Sequence, residues 1–469
     1  MALVARRESF GGIIGDSDGY GFHVVNREGL KLLRRLADDG VDAVRANCDP
    51  PQAASVDTFL RRTEELRWYD GSGRLRCRFL DNSNDVPHLS APIRVWLEVT
   101  SRCNLACAQC INEVHPDYLT PDLPLAAVLR LLEDLQKAAV IQITITGGEP
   151  LVRKDIFSIL DSIVERRFGL RFFTNGTSLT DRNAERLGRY PISHLFLSLD
   201  GLGTTNDALR GGGTFARIAR GLRVLANKIR NITLSTTLHR SSLTDIDALF
   251  QLAHAHGVSS ILIRPLFQYF GRQAPMFIPA GELETFLDAL ESASAKYGVE
   301  YQMNKLPFRP LKKSVYIHDR PSDVHFSYFS RHNTFGCVGG NSVVGIKANG
   351  VIMACGFLPH KYATAGNSVL ERPFLELWNS SENVTILRDL VGNPTCRSCT
   401  LLRLCGGGCR ANALLHTKDL NAVDPYCFWR DKWPADLVPA PEPRQYADGP
   451  EPYLSDRAII TKCGSGSDL

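Results

Sequence analysis

Ten of the thirteen cysteines fall into two groups, and grouped cysteines are candidate metal ligands. The first group is the segment CNLACAQC, in which Cys103, Cys107 and Cys110 are separated by three and two residues. Short spacings bring several thiolates together at a small cost in chain entropy. A [4Fe-4S] cluster normally takes four thiolates, so three cysteines would leave one iron open. A zinc site with a fourth ligand such as His115 is the alternative.

The second group lies towards the C-terminal end and contains the run Cys-x2-Cys-x5-Cys-x3-Cys. Seven thiolates are one short of two complete sets of four, which predicts an open iron or a different eighth ligand. A four-thiolate zinc knot spanning Cys396 to Cys427 is the alternative. The group consists of Cys337, Cys355, Cys396, Cys399, Cys405, Cys409 and Cys427. The scattered cysteines are Cys48, Cys77 and Cys463, of which Cys77 or Cys463 could supply the missing thiolate.

Composition narrows the class of protein. Lys and Arg total 54 against 50 for Asp and Glu, and this formal charge of +4 argues against nucleic-acid binding. No apolar run is long enough to cross a bilayer, and the first residues lack the apolar segment of an export signal. In a reducing compartment, metal ligation explains the cysteines better than disulfides do. The sequence therefore predicts a cytoplasmic enzyme that binds neither membrane nor nucleic acid.

The elements that must position the first cysteines form an alternating pattern. Short β-branched runs alternate with amphipathic segments, which indicates parallel βα units and a partial (β/α)6 TIM-type barrel. The first cysteine group follows the first strand, at the end of the barrel where such folds place their chemistry. The predicted strands are 93–99, 141–146, 170–175, 194–199, 231–238 and 261–266.

Polar residues and glycines follow several of these strands. After the second strand comes GGEP, where two glycines let the backbone approach a ligand and Glu149 offers a carboxylate to an ammonium group. An ordinary turn is the alternative for GGEP alone. Arg264 stands in an otherwise apolar strand, where a buried guanidinium requires an anionic partner.

Taken together, the cysteine triad, GGEP (147–150), TNG (174–176) and SLDG (198–201) resemble the radical S-adenosylmethionine superfamily. The resemblance implies that the triad holds a [4Fe-4S] cluster whose open iron binds the amino and carboxylate groups of S-adenosylmethionine. It also implies that Glu149 and the backbone of Gly147 and Gly148 hold the amino group. Many relatives have an aromatic residue or histidine before the third cysteine and an aromatic residue after it, whereas this chain has Gln109 and Ile111.

Three further side chains are candidates for the same cofactor. Ser198 and Asp200, at the end of the fourth strand, are candidate ribose contacts, with turn-forming side chains as the alternative. Arg264 would meet the cofactor carboxylate or, alternatively, a protein acid.

The segments GVIMAC (350–355), WNS (378–380) and CGGGCRA (405–411) are similar to the SPASM extension of radical S-adenosylmethionine enzymes. That family carries two auxiliary clusters, so the cofactors implied are three [4Fe-4S] clusters and S-adenosylmethionine. Carried onto this sequence, one auxiliary cluster takes Cys396, Cys399, Cys405 and Cys427, and the other takes Cys337, Cys355 and Cys409.

The N-terminal segment predicts a small separate domain. A hairpin (GGIIGDS and GFHVV) and two helices indicate a winged-helix-like fold, which resembles the RiPP recognition element. Such an element binds the leader of a ribosomal precursor peptide as an added strand. A structural cap or a DNA-binding winged helix is the alternative. The predicted boundaries are 1–75 for this domain, 76–91 for a linker, 92–310 for the barrel, 311–433 for the SPASM domain and 434–469 for a flexible tail.

These features predict a radical S-adenosylmethionine peptide maturase. A 5′-deoxyadenosyl radical would abstract hydrogen from the precursor peptide, which would then close an intramolecular thioether or carbon-carbon cross-link. The partners would be the precursor peptide and an electron donor such as flavodoxin or ferredoxin. The enzyme alternatives are a peptide epimerase, in which Cys463 could donate hydrogen only if the tail folds back, and a dehydrogenase of a small molecule or protein side chain. The non-enzyme alternative is a peptide-binding scaffold with zinc knots.

Overall fold

The structure is a computed structural model of the 469-residue chain. It describes residues 3–16, 22–48, 53–65, 68–70, 72–81, 88–111, 120–226, 228–264, 266, 276, 278, 280–303, 337–358, 366–388, 396, 407–425, 427 and 460–463.

The N-terminal domain combines a sheet with three helices. Its strands are β1 (Leu3–Glu8), β2 (Gly11–Asp16), β3 (Phe22–Asn26) and β4 (Cys77–Leu80), and its helices are α1 (Arg27–Asp38), α2 (Val41–Ala46) and α3 (Ala53–Glu65). The Asn26 side chain caps α1 by accepting a bond from the Gly29 amide at 2.8 Å. Leucines recur along one face of α1 and are buried against the sheet, as the sequence pattern predicts. The predicted hairpin corresponds to β2 and β3.

The barrel contains the six predicted parallel strands and one more. The parallel order β5 to β10 continues into β11, and neighbouring strands pair directly. The predicted α/β class with a partial barrel is therefore confirmed. The strands are β5 (Arg94–Glu98), β6 (Gln142–Thr146), β7 (Gly169–Thr174), β8 (Ile192–Ser198), β9 (Ile232–Thr237), β10 (Ser260–Arg264) and β11 (Glu300–Met303).

Amphipathic helices cover the outer face of this sheet. Ile156, Ile159, Leu160 and Ile163 of one helix repeat at helical spacing and are buried in the main hydrophobic cluster. The helices are α4 (Leu125–Lys137), α5 (Ile156–Glu165), α6 (Asp181–Leu187), α7 (Gly203–Arg210), α8 (Thr214–Leu225), α9 (Ile246–Ala255) and α10 (Ala280–Tyr297). Short 3-10 helices cover Pro150–Val152 and Arg240–Asp245. In the parts of the chain that the structure describes, no helix has the length and apolar character needed to cross a bilayer.

The C-terminal region continues the barrel sheet on its other side. Strand β12 (Val343–Ile346) pairs in parallel with β5, and β13 (Ile352–Met353) pairs antiparallel with β12. Helices Phe374–Ser380, Glu382–Thr385 and Arg410–Thr417 follow. Trp378 of the WNS segment is fully buried, and its indole N–H donates to the Leu89 carbonyl at 2.8 Å. The β12–β5 ladder and the Trp378 hydrogen bond therefore join the C-terminal region to the barrel.

Arg6 and Glu8 tie the N-terminal domain to the barrel. Fully buried Arg6 donates to the carbonyls of Ala91 (2.7 Å), Pro92 (3.0 Å) and Ala139 (3.1 Å), and its Nε lies 2.6 Å from Glu8 Oε1. Glu8 in turn accepts from the backbone and hydroxyl of Ser90 at 2.9 and 3.1 Å. Charge-assisted hydrogen bonds thus fix the position of residues 90–92, the segment that leads into β5.

Two predicted connecting segments contain strands. The linker predicted at 76–91 includes β4, which pairs in parallel with β1, because Cys77 and Phe79 pack against the N-terminal core. The tail predicted to lack fixed structure includes β14 (Ile460–Cys463), which pairs antiparallel with β3. Both predictions were wrong at these points, since edge strands of four residues leave little pattern in sequence. The other domain boundaries stay predictions.

Candidate radical and iron-sulfur site

The first cysteine segment forms a loop beyond the carboxyl end of β5, as predicted. Cys103 is exposed, and Cys107 and Cys110 are half-buried. The Ala108 amide donates to the Leu209 carbonyl of α7 at 2.8 Å. Asn175, in the TNG segment after β7, contacts Cys103 Sγ at 3.7 Å and donates to Asn104 Oδ1 at 2.9 Å. Contacts from α7 and from the segment after β7 therefore hold the loop.

The two glycines of GGEP lie against this loop. The Gly148 amide donates to the Thr100 carbonyl at 2.8 Å, and the Glu149 amide donates to the Arg102 carbonyl at 2.9 Å. A Cβ at Gly147, where φ is +141°, would stand 2.3 Å from the Thr100 oxygen, and one at Gly148 would stand 2.1 Å from the Arg102 oxygen. The predicted close approach is thus made to the backbone that leads into the cysteines.

Gly148→Ala is expected to displace the cysteine loop, because the added methyl group meets main-chain atoms that cannot rotate away. We expect iron occupancy of the loop to fall and 5′-deoxyadenosine formation to drop by about 100-fold, the scale that a misplacement of about 1 Å produces. The matched control is Gly212→Ala, where an added Cβ meets nothing within 4 Å. Equal activity in the two variants would contradict this role of Gly148.

Glu149 is fully buried and joins the ends of β6 and β7. Its carboxylate accepts from the Asn175 amide at 2.6 Å, the Thr174 hydroxyl at 2.9 Å and the Leu151 amide at 3.0 Å. Burial raises the pKa of Glu149 to about 7, against the opposing effect of these hydrogen bonds. The carboxylate therefore organises the protein around the loop. Contact of Glu149 and of the Gly147 and Gly148 backbone with the cofactor amino group stays a prediction.

This carboxylate should leave a pH signature in the metal-free chain. A pKa of about 7 in the folded chain against 4.5 for the ordinary group means that the folded chain binds the extra proton between these values. The free energy of unfolding should therefore fall as pH rises from about 4.5 to 7, by roughly 2–3 kcal/mol. Glu149→Gln should lack this part of the slope in urea titrations at pH 5 and pH 7.5. Identical slopes would show that Glu149 does not titrate in this way.

Asp200 lies beneath the cysteine loop rather than at its mouth. Its fully buried carboxylate accepts from Gln109 Nε2 and from the Thr237 amide (2.6 Å), and it lies 2.5 Å from Arg210 Nη2. Although burial alone raises the pKa of Asp200, Arg210 and the Thr237 amide hold it below its usual value. This geometry does not support the predicted ribose contact for Asp200. Gln109, at the position where many relatives have an aromatic residue or histidine, therefore donates a hydrogen bond to a buried ion pair.

Arg264 and Ser198 are the last residues of β10 and β8, two strands that lie on either side of β9. Both side chains are half-buried, at the ends of β10 and β8. The Arg264 Nε atom is buried without a hydrogen-bond partner among the described residues. Burial lowers the pKa of Arg264, with Asp200 opposing. A buried, unsatisfied guanidinium N–H fits an anionic ligand such as a carboxylate. The roles predicted for Arg264 and Ser198 stay predictions.

The three thiols influence one another as close neighbours do. Burial raises the pKa of Cys107 to about 12, opposed by Arg210 and reinforced by Cys110 and Cys103. Burial likewise raises the pKa of Cys103. As free thiols they would stay protonated, and metal binding would replace the protons. Within the described ranges, no three His, Cys, Asp or Glu side chains converge on a single-ion site. A [4Fe-4S] cluster does not require its thiolates to converge on a single metal ion, because each thiolate binds a different iron.

The C-terminal cysteines partly assemble as predicted. Buried Cys409 and half-buried Cys337 and Cys355 belong to one cluster, against which Ile111 of the first cysteine loop also packs. The Phe357 amide lies 3.4 Å from Cys355 Sγ. The structure therefore brings together the three cysteines predicted to share one cluster, although their ligation itself stays a prediction.

The other predicted set is described in part. Cys396 is buried and Cys427 is half-buried, whereas Cys399 and Cys405 lie outside the described residues, as does His115. Asp424 accepts from the Cys409 amide at 2.6 Å, and its carbonyl accepts from the Cys427 amide at 2.8 Å. The Asp424 link between the two sets had no signal in the sequence beyond an aspartate near a cysteine.

Cys77 and Cys463 both belong to the N-terminal sheet. Cys77 lies in β4 and packs with the N-terminal core, and Cys463 lies in β14, which pairs with β3. Cys77 thus packs against a different cluster from the one that contains Cys337, Cys355 and Cys409. This placement does not favour Cys77 as the eighth thiolate, and the suggestion for Cys463 stays a prediction.

An aromatic surface lines the inner face of the barrel below the cysteine loop. The Trp96 ring lies 5.6 Å from Phe173 and 5.6 Å from Phe357, and Phe173 stacks on Phe196 at 4.2 Å between ring centroids. We call Trp96, Phe173, Phe196 and Phe357 the aromatic wall. Trp96, Phe173 and Phe357 are half-buried and therefore accessible. Strand alternation places the three barrel residues on the face opposite the helices, but sequence alone did not single them out.

Comparison with known proteins identifies both cysteine regions. Residues 97–253 match the radical SAM superfamily, and residues 337–400 match SPASM, an iron-sulfur cluster-binding domain. The chain contains a radical S-adenosylmethionine domain and a SPASM domain. Iron-sulfur clusters and S-adenosylmethionine are accordingly its cofactors, and the zinc-knot alternative is set aside.

The radical S-adenosylmethionine/SPASM chain has relatives with several activities. It is 27% identical to the mycofactocin maturase MftC of Mycobacterium tuberculosis over 77% of this chain and 89% of the relative. It is 26% identical to the PqqA peptide cyclase of Granulibacter bethesdensis over 72% of this chain and 88% of the relative. It is also 27% identical to the AdoMet-dependent heme synthase of Methanosarcina barkeri, over 73% and 97%.

A solved structure shares the fold along nearly the whole chain. Streptococcus suis SuiB bound to its precursor peptide SuiA superposes with a TM-score of 0.68, covering 90% of this chain and 97% of SuiB at 17% identity. At this identity the likeness establishes the fold of the radical S-adenosylmethionine/SPASM chain.

Proposed function

We propose that this protein is a peptide maturase that cross-links a ribosomally made precursor peptide within one peptide chain. The observation that carries the proposal is the fusion of an N-terminal sheet domain to the radical S-adenosylmethionine and SPASM regions, with a fold shared over 90% of the chain with a protein solved with its precursor peptide. Similarity to a mycofactocin maturase and a PqqA peptide cyclase supports the same substrate class.

The site residues have distinct roles in this proposal. Cys103, Cys107 and Cys110 would hold the cluster at the barrel mouth, and Arg264 would hold the cofactor carboxylate. When bound there, the reduced cluster and S-adenosylmethionine supply a 5′-deoxyadenosyl radical that removes a hydrogen atom. The aromatic wall offers apolar contact to a substrate side chain and excludes water from the barrel interior. The second set of cysteines gives the chain further redox groups for an oxidative product.

The proposal also includes an electron donor and a cellular location. The cluster needs a one-electron donor, for which a flavodoxin or ferredoxin is the natural class. Reduced clusters of this kind require a reducing compartment, which favours the cytoplasm.

The test is a reaction of the anaerobically reconstituted full chain with S-adenosylmethionine, reductant and the short peptide encoded beside its gene, run in deuterated water. A peptide lighter by two hydrogen atoms is the expected result. Gain of one deuterium at carbon with no other change would identify an epimerase instead. An unmodified peptide, in a reaction that still cleaves S-adenosylmethionine, would point to a different substrate. A small molecule is then the alternative, since the chain is also similar to a heme synthase.

A further inference from the structure

The N-terminal sheet contains a strand from the opposite end of the chain. Its order is β14-β3-β2-β1-β4, so β14 (Ile460–Cys463) forms one edge and β4 (Cys77–Leu80) forms the other.

 The stretch of chain between Leu80, where β4 ends, and Ile460 contains the whole barrel and the SPASM region. The pairing with β3 is antiparallel and joins Ile460 to Val25, Thr461 to Val24, Lys462 to His23 and Cys463 to Phe22.

Strand β3 would be an open edge without this partner. Its other side is paired with β2, so its remaining backbone N–H and C=O groups face outward. Such an edge is a template for any extended segment. It is also firmly positioned, because Val25 belongs to the N-terminal core, Val24 belongs to the core shared with the barrel, and the His23 ring contacts Trp68 at 5.0 Å.

We propose that residues 460–463 are a resident strand that occupies the edge of β3 at which the leader of the peptide substrate adds. The leader must displace this strand in order to bind, so the C-terminal end of the chain restrains its own maturase. The inference rests on the proposed function, because it assumes an extended peptide as the incoming partner.

Tethering makes the short strand an effective competitor. A segment attached to the same chain acts at an effective concentration on the order of millimolar. The apparent affinity of an incoming peptide falls in proportion to the fraction of molecules with an open edge. Because the strand pairs through only four residues, displacement is reversible.

The resident strand can be removed without shortening the chain. In an antiparallel ladder, one of two adjacent residues directs its N–H at the partner, so Thr461→Pro/Lys462→Pro removes at least one donor to β3. The matched control is Ser465→Pro/Ser467→Pro, which adds the same two prolines after the paired residues.

The probe is a fluorescent synthetic peptide of residues 456–469, titrated into each full-length protein. We expect the Thr461/Lys462 variant to bind it at least about tenfold more tightly than the wild type or the control, since only that variant has an open edge. Backbone amides of residues 22–26 should exchange faster in the variant and regain protection when the peptide is added. Equal affinity in all three proteins, no binding to any, or unchanged exchange would overturn the proposal.

The precursor peptide separates this proposal from the proposed function. The resident strand predicts a lower KM for the precursor in the Thr461/Lys462 variant than in the wild type, with kcat unchanged. Equal KM values in two active proteins would overturn the resident strand and leave the maturase function standing. If neither protein modifies the precursor, the maturase function fails, while binding of the 456–469 peptide still decides whether β14 occupies β3.

Discussion

Cys103→Ala is expected to abolish formation of 5′-deoxyadenosine, because a cluster held by two thiolates no longer presents an open iron in a fixed position. The loss should reach the detection limit, and the iron content should fall by about four per chain while the C-terminal clusters remain. The measurements are iron per chain, the spectrum of the reduced protein and 5′-deoxyadenosine by chromatography.

Cys48→Ala is the matched control for this experiment. Cys48 is half-buried in the N-terminal domain and packs against its core, away from both cysteine groups. Its substitution should leave iron content and cofactor cleavage unchanged. Cofactor cleavage by a Cys103→Ala protein that retains its other clusters would show that the first cysteine loop is not the radical site.

Arg6→Ala is expected to produce the largest loss of stability among single changes outside the cysteines. It leaves the carbonyls of Ala91, Pro92 and Ala139 without their donor and Glu8 without its ion-pair partner, all at a buried junction. Breaking a buried pair by removing one member costs about 3–5 kcal/mol. The measurement is the midpoint of thermal unfolding of the reconstituted protein.

The neighbouring residue provides the control. Arg7 has the same side chain on the same strand, but it is exposed, so Arg7→Ala should change the stability by no more than about 0.5 kcal/mol. A similar loss in both variants would mean that charge on β1, rather than the buried contacts of Arg6, stabilises the junction.

The barrel could be predicted because its strands and helices carry strong periodic patterns. The runs at 141–146 and 194–199 overlap β6 and β8, and the cysteines appear at the strand end where parallel folds expose their loops. Strand β11 was missed, since EYQM is only four residues long and contains no β-branched residue. The resemblance to the SPASM extension grouped Cys337, Cys355 and Cys409, and the structure places all three in one hydrophobic cluster, while their shared ligation stays a prediction.

The partners of polar side chains could not be predicted from the sequence. Asp200 and Glu149 looked available to a ligand, because a strand end indicates the edge of the sheet but not whether the side chain points outward or beneath the loop. The ion pair of Asp200 with Arg210 depends on how α7 packs, which is a tertiary property. Asn175 lay within a recognised motif, yet its contact with Cys103 becomes visible only when the ends of β5 and β7 are in place.

The pairing of β12 with β5 has a mechanical consequence. β5 leads directly into the cysteine loop and β12 leads towards Cys355, so a shared ladder and the buried Lys347–Glu98 pair at 2.7 Å connect the supports of both cysteine groups. Two domains joined in this way cannot swing about a hinge without breaking sheet hydrogen bonds. The spacing between the two redox regions is therefore a fixed dimension of one rigid body, and a bulky substrate must gain entry through the loops around it.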